Sequence, residues 1–238
     1  MPAHTSRSSS VRAPLTKTRP RWFAPLVIIG IGLIVAILVI ALLEVGKARS
    51  SAGQDAGALP ATRTNSHVLD SVGPDAPTLV EFLDFECEAC GALHPVVQDV
   101  RAHYRGKINY VIRYFPLSGH FNAVPSALAV EAASKQGKTE EMADLLLTTQ
   151  ARWGEQRVSM APLFRSYAEQ IGLDMAAYDA DVADPATLQR VEGDFNDGVA
   201  MGVTSTPTFI LDGKVLTLTK LTDLTDPIEQ AIAAGPKR

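Results

Sequence analysis

The sequence predicts an α/β domain whose sheet is interrupted by a block of helices, preceded by one transmembrane helix. Apolar strand patterns occupy residues 78–85 and 108–114, and a helical pattern lies between them. Further helical patterns run over residues 122–200 before strand patterns return at 208–218. Strands that alternate with helical segments are typical of α/β folds. An uncharged stretch at residues 22–43 predicts the transmembrane helix.

Charge is distributed unevenly along the 238 residues. Residues 1–43 hold five of the 22 basic residues and no acid, and the other 17 basic residues face 26 acidic ones, a balance of −9. Phosphate binding needs clustered Lys and Arg. The acidic remainder therefore argues against a nucleic-acid partner.

The stretch from Trp22 to Leu43 contains 22 residues without a charge. At about 1.5 Å per residue it would span roughly 33 Å, against about 30 Å of hydrocarbon in a lipid bilayer. Five basic residues precede it, so the positive-inside rule places residues 1–21 in the cytoplasm as a basic tail. We therefore predict a single-pass cell-membrane protein whose main domain lies outside the cytoplasm. A cleaved signal peptide is the rival interpretation, although its apolar region is normally only about 7–15 residues long.

Residues 44–66 are rich in Gly, Ala and Ser and show no apolar periodicity, which predicts a flexible linker. From residue 67 onward the pattern is that of a packed domain, and we assign residues 67–238 to it. Roughly 170 residues are enough for a domain to bury a core of its own.

The first part of this domain predicts a strand, a helix and a second strand. Thr78–Phe85 is a compact run of apolar, β-branched and aromatic residues, as expected of a central strand. Helical spacing of apolar residues then begins near Cys87–Cys90 and ends near Gly106, and Pro95 is expected to bend this helix. Ile108–Tyr114 has the pattern of the second strand.

The remainder predicts a helical insertion at about residues 119–200, then a hairpin and a closing helix. Asp212-Gly213 lies between two short strand patterns and is a strong hairpin signal. The closing helix is predicted at Lys220–Ala234. The predicted helices of the insertion span residues 122–136, 139–150, 160–172 and 186–202, and the hairpin strands span Thr208–Leu211 and Lys214–Leu218.

The chain has two cysteines, and they stand as Cys87-Glu88-Ala89-Cys90. A disulfide across so short a loop adds little stability, and a zinc site would need two further ligands, for which His94 and His103 are weak candidates. Inert buried thiols are a third interpretation. Redox catalysis is favoured because the pair lies where the strand meets the helix. There the helix N-terminus would stabilise a Cys87 thiolate, and Cys90, one turn into the helix, would resolve a mixed disulfide.

Three segments resemble the DsbA-like branch of the thioredoxin superfamily. They are VEFLDFECEACGALHP around the cysteines, FPLSGH after the second strand, and GVTSTPTF before the hairpin. The resemblance covers about residues 67–235, including the helical insertion between the second strand and the later proline. It implies a thioredoxin-like fold and thiol–disulfide oxidoreductase activity, with Cys87 as the nucleophile and Cys90 as its buried partner.

The resemblance also implies roles for residues outside the pair. Pro207, preceded by Thr206, matches the family's cis-proline, whose loop lies against the disulfide and pairs with an extended substrate segment. An ordinary trans proline is the alternative. Glu81 matches an acid beneath the active site that would accept the proton of the buried cysteine, and a solvated charge on the strand is the alternative. His120 and Trp153 match family positions to which we assign packing roles.

The residues around the pair depart from the strongly oxidising relatives, which place Pro and His between the cysteines. This chain has Glu88 and Ala89 there, with Asp84 and Glu86 just before. Three carboxylates near a thiolate should raise the pKa of Cys87, so we assign redox tuning to Glu86, Glu88 and Ala89. We therefore predict a weaker oxidant than the strongest DsbA relatives.

We predict that the protein donates disulfides to reduced or unfolded exported proteins, and that a membrane redox partner resets its cysteine pair. A reductase or an isomerase that uses the same site is one alternative. A copper-handling thioredoxin-fold chaperone and a redox-inactive peptide-binding module are two others, from different functional classes. The sequence implies no cofactor and no metal.

Overall fold

The structure, a computed structural model, describes residues 61–235. The predicted basic tail, the predicted transmembrane helix at residues 22–43 and most of the predicted linker lie outside these residues. Within residues 61–235, none of the helices combines the length and the apolar character needed to cross a bilayer. The transmembrane helix therefore stays a prediction.

The described chain alternates strands and helices in the order that an inserted α/β fold requires. The strands are β1 (His67–Asp70), β2 (Thr78–Leu83), β3 (Asn109–Tyr114), β4 (Thr208–Leu211) and β5 (Lys214–Val215). The helices are α1 (Glu88–His103), α2 (Ala123–Ser134), α3 (Thr139–Thr148), α4 (Ala161–Gln170), α5 (Met175–Ala183), α6 (Pro185–Ala200) and α7 (Thr222–Ala233). A short 3-10 turn, Gln150–Arg152, follows α3.

The strands form one sheet in the order β1-β3-β2-β4-β5. Strands β2 and β3 run parallel and are connected by α1, and the other neighbouring pairs are antiparallel. Strand β2 lies at the centre, since its sequence TLVEFL is apolar enough for both faces to be covered. Helices α2 to α6 are inserted between β3 and β4. The predicted α/β fold with a helical insertion is thus confirmed.

Alternate residues of β2 face opposite sides of the sheet. Leu79 packs in the larger core, which also contains Cys90 of α1. Phe82 packs in a smaller core on the other side, against which Phe195 of α6 lies. Glu81 is adjacent to Phe82 in the strand, so it points to the side of the sheet that carries Cys90.

A buried cluster of charges joins the sheet to the last helix of the insertion. Arg113 of β3 is completely buried and forms ion pairs with Asp194 and Asp197 of α6. Arg190 pairs with Asp194, and Arg63 pairs with Asp197. Removing one partner of a buried ion pair leaves an uncompensated charge, typically at a cost of about 3–5 kcal/mol. The cluster therefore holds α6 against the sheet.

Some elements differ from the sequence-based prediction. Strand β1 is missing from it, because His67–Asp70 has only four residues without apolar alternation and is only partly buried. Helix α5 is also missing, although Asp174 caps its first turn in the ordinary way. With β1 included, the helical insertion follows the third strand instead of the second. Two strands are shorter than predicted, since β2 ends at Leu83 and β5 ends at Val215.

Candidate active site

The two cysteines lie where β2 ends and α1 begins. Residues 84–87 form the connecting turn, in which the Asp84 carboxylate accepts the N–H of Glu86 at 2.8 Å. Cys87 takes the N-cap position of α1 with an extended backbone, and Cys90 lies in the first turn of the helix. The two residues are only 7% and 2% exposed, and both are free thiols. The structure therefore describes the reduced pair.

The surroundings of Cys87 stabilise its thiolate. A hydrogen bond from the Cys90 thiol is the largest effect, and together with weaker donors it lowers the pKa of Cys87 to about 5 against the opposing effect of burial. The weaker donors are the Thr206 hydroxyl and the backbone N–H groups of Ala89 and Cys90. Because these N–H groups begin a helix, they have no carbonyl acceptor within it and are available to the sulfur. At neutral pH Cys87 is therefore a thiolate, which is the nucleophilic form.

This lowered pKa corrects the expectation that nearby carboxylates raise it. That expectation was wrong because Asp84 and Glu86 are buried and their carboxylates accept backbone N–H groups. Glu88 is exposed, and its carboxylate accepts its own backbone N–H and interacts with Glu155. The donors that converge on the sulfur of Cys87 therefore outweigh the neighbouring charges.

Asp84 and Glu86 attach the active-site turn to the start of the helical insertion. The Asp84 carboxylate accepts the N–H of Leu117 at 2.9 Å and lies 2.6 Å from Nδ1 of His120. The Glu86 carboxylate accepts the N–H of Asn122. Burial raises the pKa of both carboxyl groups, and their hydrogen bonds oppose this only in part. His120 thus orients the turn, beyond the packing role expected from the sequence.

Glu81 is a buried acid and not a solvated surface charge, since it is only 5% exposed. Burial raises its pKa to about 7, and the hydrogen bond from the Tyr110 hydroxyl and the charge of Arg101 oppose this only in part. The charge of Glu81 is in turn one of the effects that raise the pKa of Cys90, after the hydrogen bond to Cys87 and burial. A carboxyl group that titrates near neutrality beside a buried thiol can exchange a proton with it.

The loop before β4 lies against Cys87. Strand β4 runs antiparallel to β2, with Thr208 opposite Phe82, so the residues before β4 reach the end of β2 where the cysteine turn begins. The Thr206–Pro207 peptide bond is cis, as expected. The Cys87 sulfur lies 3.4 Å from the Thr206 carbonyl oxygen, to which it donates a hydrogen bond only while it is protonated. The buried Thr206 hydroxyl forms no hydrogen bond within residues 61–235, so its proton can turn toward the Cys87 thiolate, in line with its lowering of the Cys87 pKa.

Gln150 is a site residue that sequence reasoning missed. Its side-chain nitrogen donates to the backbone carbonyls of Phe85 at 2.7 Å and Cys87 at 2.9 Å. It belongs to the 3-10 turn after α3, and nothing in its local sequence connects it with the cysteines. The nearby Trp153 is completely buried against Phe164, in keeping with a packing role.

Potential metal ligands come together at the rim of the site. Carboxylate oxygens of Glu88 and Glu155 and a ring nitrogen of His120 lie within 4.8 Å of one another. Both glutamates are exposed, and the positive N-terminal end of α1 disfavours a cation beside Glu88. We assign no metal to this group.

The chain matches one protein-family model and is similar in fold to several solved structures. The family model described as thioredoxin matches residues 73–230. The solved structure of α-DsbA1 from Wolbachia pipientis has a TM-score of 0.62 at 20% identity, covering 73% of this chain and 94% of that chain. MdbA, a thiol-disulfide oxidoreductase from Corynebacterium diphtheriae, has a TM-score of 0.55 at 21% identity, covering 69% of this chain and 88% of that chain. At these identities the two structures support the fold.

Curated relatives are much longer than this chain. A Na(+)/H(+) antiporter NhaA from Herminiimonas arsenicoxydans is 36% identical over 139 residues, which cover 58% of this chain and 21% of the antiporter. The chain thus matches about a fifth of the length of this relative. The similarity concerns that part alone.

Proposed function

The chain belongs to the thioredoxin family, and on this premise we propose that it is a protein disulfide oxidoreductase that exchanges disulfides through Cys87 and Cys90. The observation that carries the proposal is the stabilised Cys87 thiolate at the start of α1, with the Cys90 thiol and the Thr206–Pro207 loop beside it. A family match alone would fit an inert domain. A thiolate with a pKa of about 5 fits catalysis.

The proposed reaction transfers a disulfide from the enzyme to a client protein. A client thiolate attacks the sulfur of Cys87 in the oxidised pair, a mixed disulfide forms, and Cys90 leaves with the electron pair of the broken bond. A second client thiolate then attacks the client sulfur of the mixed disulfide and expels the Cys87 thiolate. Two client thiols thus lose two protons and two electrons and become a disulfide, and the enzyme pair is left reduced.

Glu81 supplies the proton that this reaction requires at the buried cysteine. The pKa of Cys90 lies well above that of an ordinary thiol, so it leaves readily only if it is protonated as the S–S bond breaks. The Glu81 carboxyl group has a pKa of about 7 and is partly protonated at neutral pH. It donates the proton when Cys90 leaves and accepts it when the pair is reoxidised.

The low pKa of Cys87 favours the oxidising direction of the reaction. A low thiolate pKa stabilises the reduced pair, which makes the disulfide form the stronger oxidant. With residues 22–43 as a membrane anchor, the domain would lie outside the cytoplasm, where reduced or unfolded exported proteins are its clients. A membrane redox partner would then remove two electrons from the pair after each turnover.

The test is a disulfide-transfer assay with the oxidised full-length protein and a reduced, unfolded client that needs two disulfides. Samples taken over time are treated with a mass-tagging thiol reagent, so that the state of Cys87 and Cys90 is followed together with that of the client. We expect one client disulfide to form for each enzyme pair that becomes reduced.

Two controls make the assay decisive. Cys87→Ser should transfer nothing, whereas Ser166→Ala, at an exposed serine of α4, should transfer normally. If the oxidised protein leaves the client reduced while the dithiol form readily reduces client disulfides, the enzyme is a reductase. Inertness in both directions would overturn the proposal and favour a binding module.

A further inference from the structure

A buried side chain of the helical insertion, Gln150, contacts the backbone of the active-site turn. Gln150 belongs to the 3-10 turn between α3 and α4, and its Nε2 donates to the carbonyl oxygens of Phe85 at 2.7 Å and Cys87 at 2.9 Å. The two carbonyls belong to the residues on either side of Glu86, so the amide bridges the backbone from Phe85 to the reactive Cys87. The contact joins residues more than sixty positions apart.

The amide of Gln150 also lies against the first turn of α1. A Cβ atom placed on Gly91 would come within 2.3 Å of the Oε1 atom of Gln150 and 2.8 Å of its amide carbon. Real Cβ atoms do not approach so closely, so any larger residue at position 91 would require the Gln150 amide to move. The residue that follows Cys90 is therefore matched to Gln150.

Gln150 shares its acceptor with the helix itself. The Cys87 carbonyl also accepts the N–H of Gly91 at 3.1 Å, which is the first hydrogen bond of the helix. Gln150 is therefore the second donor to the same oxygen, and together the two bonds fix the peptide group that follows the reactive residue. The sulfur then stays over the N–H groups of Ala89 and Cys90, which stabilise its thiolate.

We propose that Gln150 is a positioning residue, through which the helical insertion fixes the backbone of Cys87 and thereby stabilises its thiolate. The inference rests on the proposed thiol–disulfide exchange, because it concerns the same cysteine pair. Asp84 and Glu86 attach the turn through their side chains. Gln150 instead binds the backbone carbonyls of Phe85 and Cys87, and so contacts the reactive residue directly.

The first experiment compares Gln150→Met with the wild type in the full-length, reduced protein. Met keeps the length of the unbranched side chain and removes both donated hydrogen bonds. We expect the less well positioned thiolate to lose stabilisation equivalent to about one hydrogen bond. This loss should raise the pKa of Cys87 by roughly 0.7 units. At a pH below the Cys87 pKa of both proteins, alkylation of Cys87 should be about fivefold slower in the variant. At about pH 8 the thiolate is fully formed in both proteins, so the alkylation rates should be equal.

The second experiment removes the contact from the other side. Gly91→Ala should displace the Gln150 amide and raise the pKa of Cys87 in the same direction. In a Gln150→Ala background there is room for the new methyl group, so Gly91→Ala should then have no further effect. This non-additivity is the signature of a direct contact. Because Gly91→Ala leaves Gln150 in the chain, it also keeps the test valid if a Gln150 variant folds poorly.

Matched controls separate positioning from general damage. Gln170→Met changes an exposed glutamine at the end of α4, and Gly193→Ala fills open space beside a glycine of α6. Both should leave the alkylation profile unchanged. The inference is overturned if Gln150→Met keeps the wild-type midpoint, or if it slows alkylation equally at every pH. If alkylation of the wild-type Cys87 has its pH midpoint at about 8.5, as for an ordinary thiol, the result would count against the proposed function instead.

Discussion

Replacing Glu81 by Gln should change how the stability of the protein depends on pH. Glu81 is buried on the side of the sheet that carries Cys90, and burial raises its pKa from 4.5 to about 7. Gln has nearly the same shape, and its side-chain oxygen can still accept the hydrogen bond from the Tyr110 hydroxyl. The substitution therefore removes the titration and largely keeps the packing.

The sign of the effect follows from proton linkage. Between pH 4.5 and about 7 the folded protein keeps a proton on Glu81 that the unfolded chain has lost. The stability due to this proton is complete below pH 4.5 and is lost as the pH rises through about 7. A shift of about 2.5 pKa units corresponds to roughly 3 kcal/mol, a large part of the about 5–15 kcal/mol that stabilises a typical domain.

The assay is urea unfolding of the wild type and Glu81→Gln at about pH 4 and about pH 8.5, with the cysteine pair oxidised. Oxidation matters because the lowered pKa of Cys87 would add stability as the pH rises through the same window, with the opposite sign. The difference between the unfolding free energies of the two proteins cancels the contributions of the other titrating groups. We expect the wild type to lose about 3 kcal/mol more than the variant over this range.

Parallel stability curves for the two proteins would contradict a raised pKa at Glu81. They would mean that Glu81 titrates in the folded protein as it does in the unfolded chain. A carboxyl group with an ordinary pKa is fully ionised at neutral pH and cannot donate a proton to Cys90. The role of Glu81 as proton carrier would then have to be abandoned, while disulfide transfer itself could still stand.

Three further outcomes follow from the site and the core. Cys90→Ala removes the main donor to the Cys87 thiolate, so the ultraviolet absorbance of the thiolate should titrate above the wild-type midpoint of about 5, and an unchanged midpoint would contradict the assigned cause. In glutathione buffers the cysteine pair should have a reduction potential of roughly −190 mV, because the pKa of its thiolate lies between those of thioredoxin and DsbA. The reference potentials are about −270 mV for thioredoxin and about −120 mV for DsbA, and a value as oxidising as that of DsbA would contradict this expectation. Arg113→Met should lower the free energy of unfolding by about 3–5 kcal/mol, whereas Arg165→Met, which breaks an exposed pair, should cost less than about 1 kcal/mol in the same urea titration.

The cysteine junction could be predicted because its signals are local. The apolar run that begins at Thr78 and the helical spacing that follows Cys90 are properties of short segments, and they place the pair between a strand and a helix. Strand β1 has no such pattern in its four residues, three of which pair with β3, with a register shift between Val68 and Asp70. Its formation depends on the edge that β3 offers, which is tertiary information.

The direction of the pKa shift at Cys87 could not be predicted by counting nearby carboxylates. The sequence places Asp84 and Glu86 close to the cysteine, yet it does not show that both side chains are buried and accept backbone N–H groups of the helical insertion. A weaker oxidant than DsbA is still expected. The reason is now an intermediate thiolate pKa, and not repulsion from carboxylates.

Long-range polar contacts were also beyond the sequence. Gln150 lies far along the chain from Cys87, and its importance depends on the close approach to Gly91. Arg113 stands in a strand whose alternation would allow an exposed charge, but α6 covers that face and supplies two buried carboxylates. Such partners become visible only once the helices are packed.

Trapping the mixed disulfide with a client protein would show whether Cys87 exchanges disulfides with other proteins. Cys90→Ala leaves Cys87 without its resolving partner, so a client that carries an activated disulfide should stay covalently attached to Cys87 and appear as a reducible adduct on a non-reducing gel. We expect adducts with Cys90→Ala and none with Cys87→Ala, in which only the buried, protonated Cys90 remains. Adducts of equal yield in both variants, or in neither, would contradict the claim that Cys87 exchanges disulfides with other proteins.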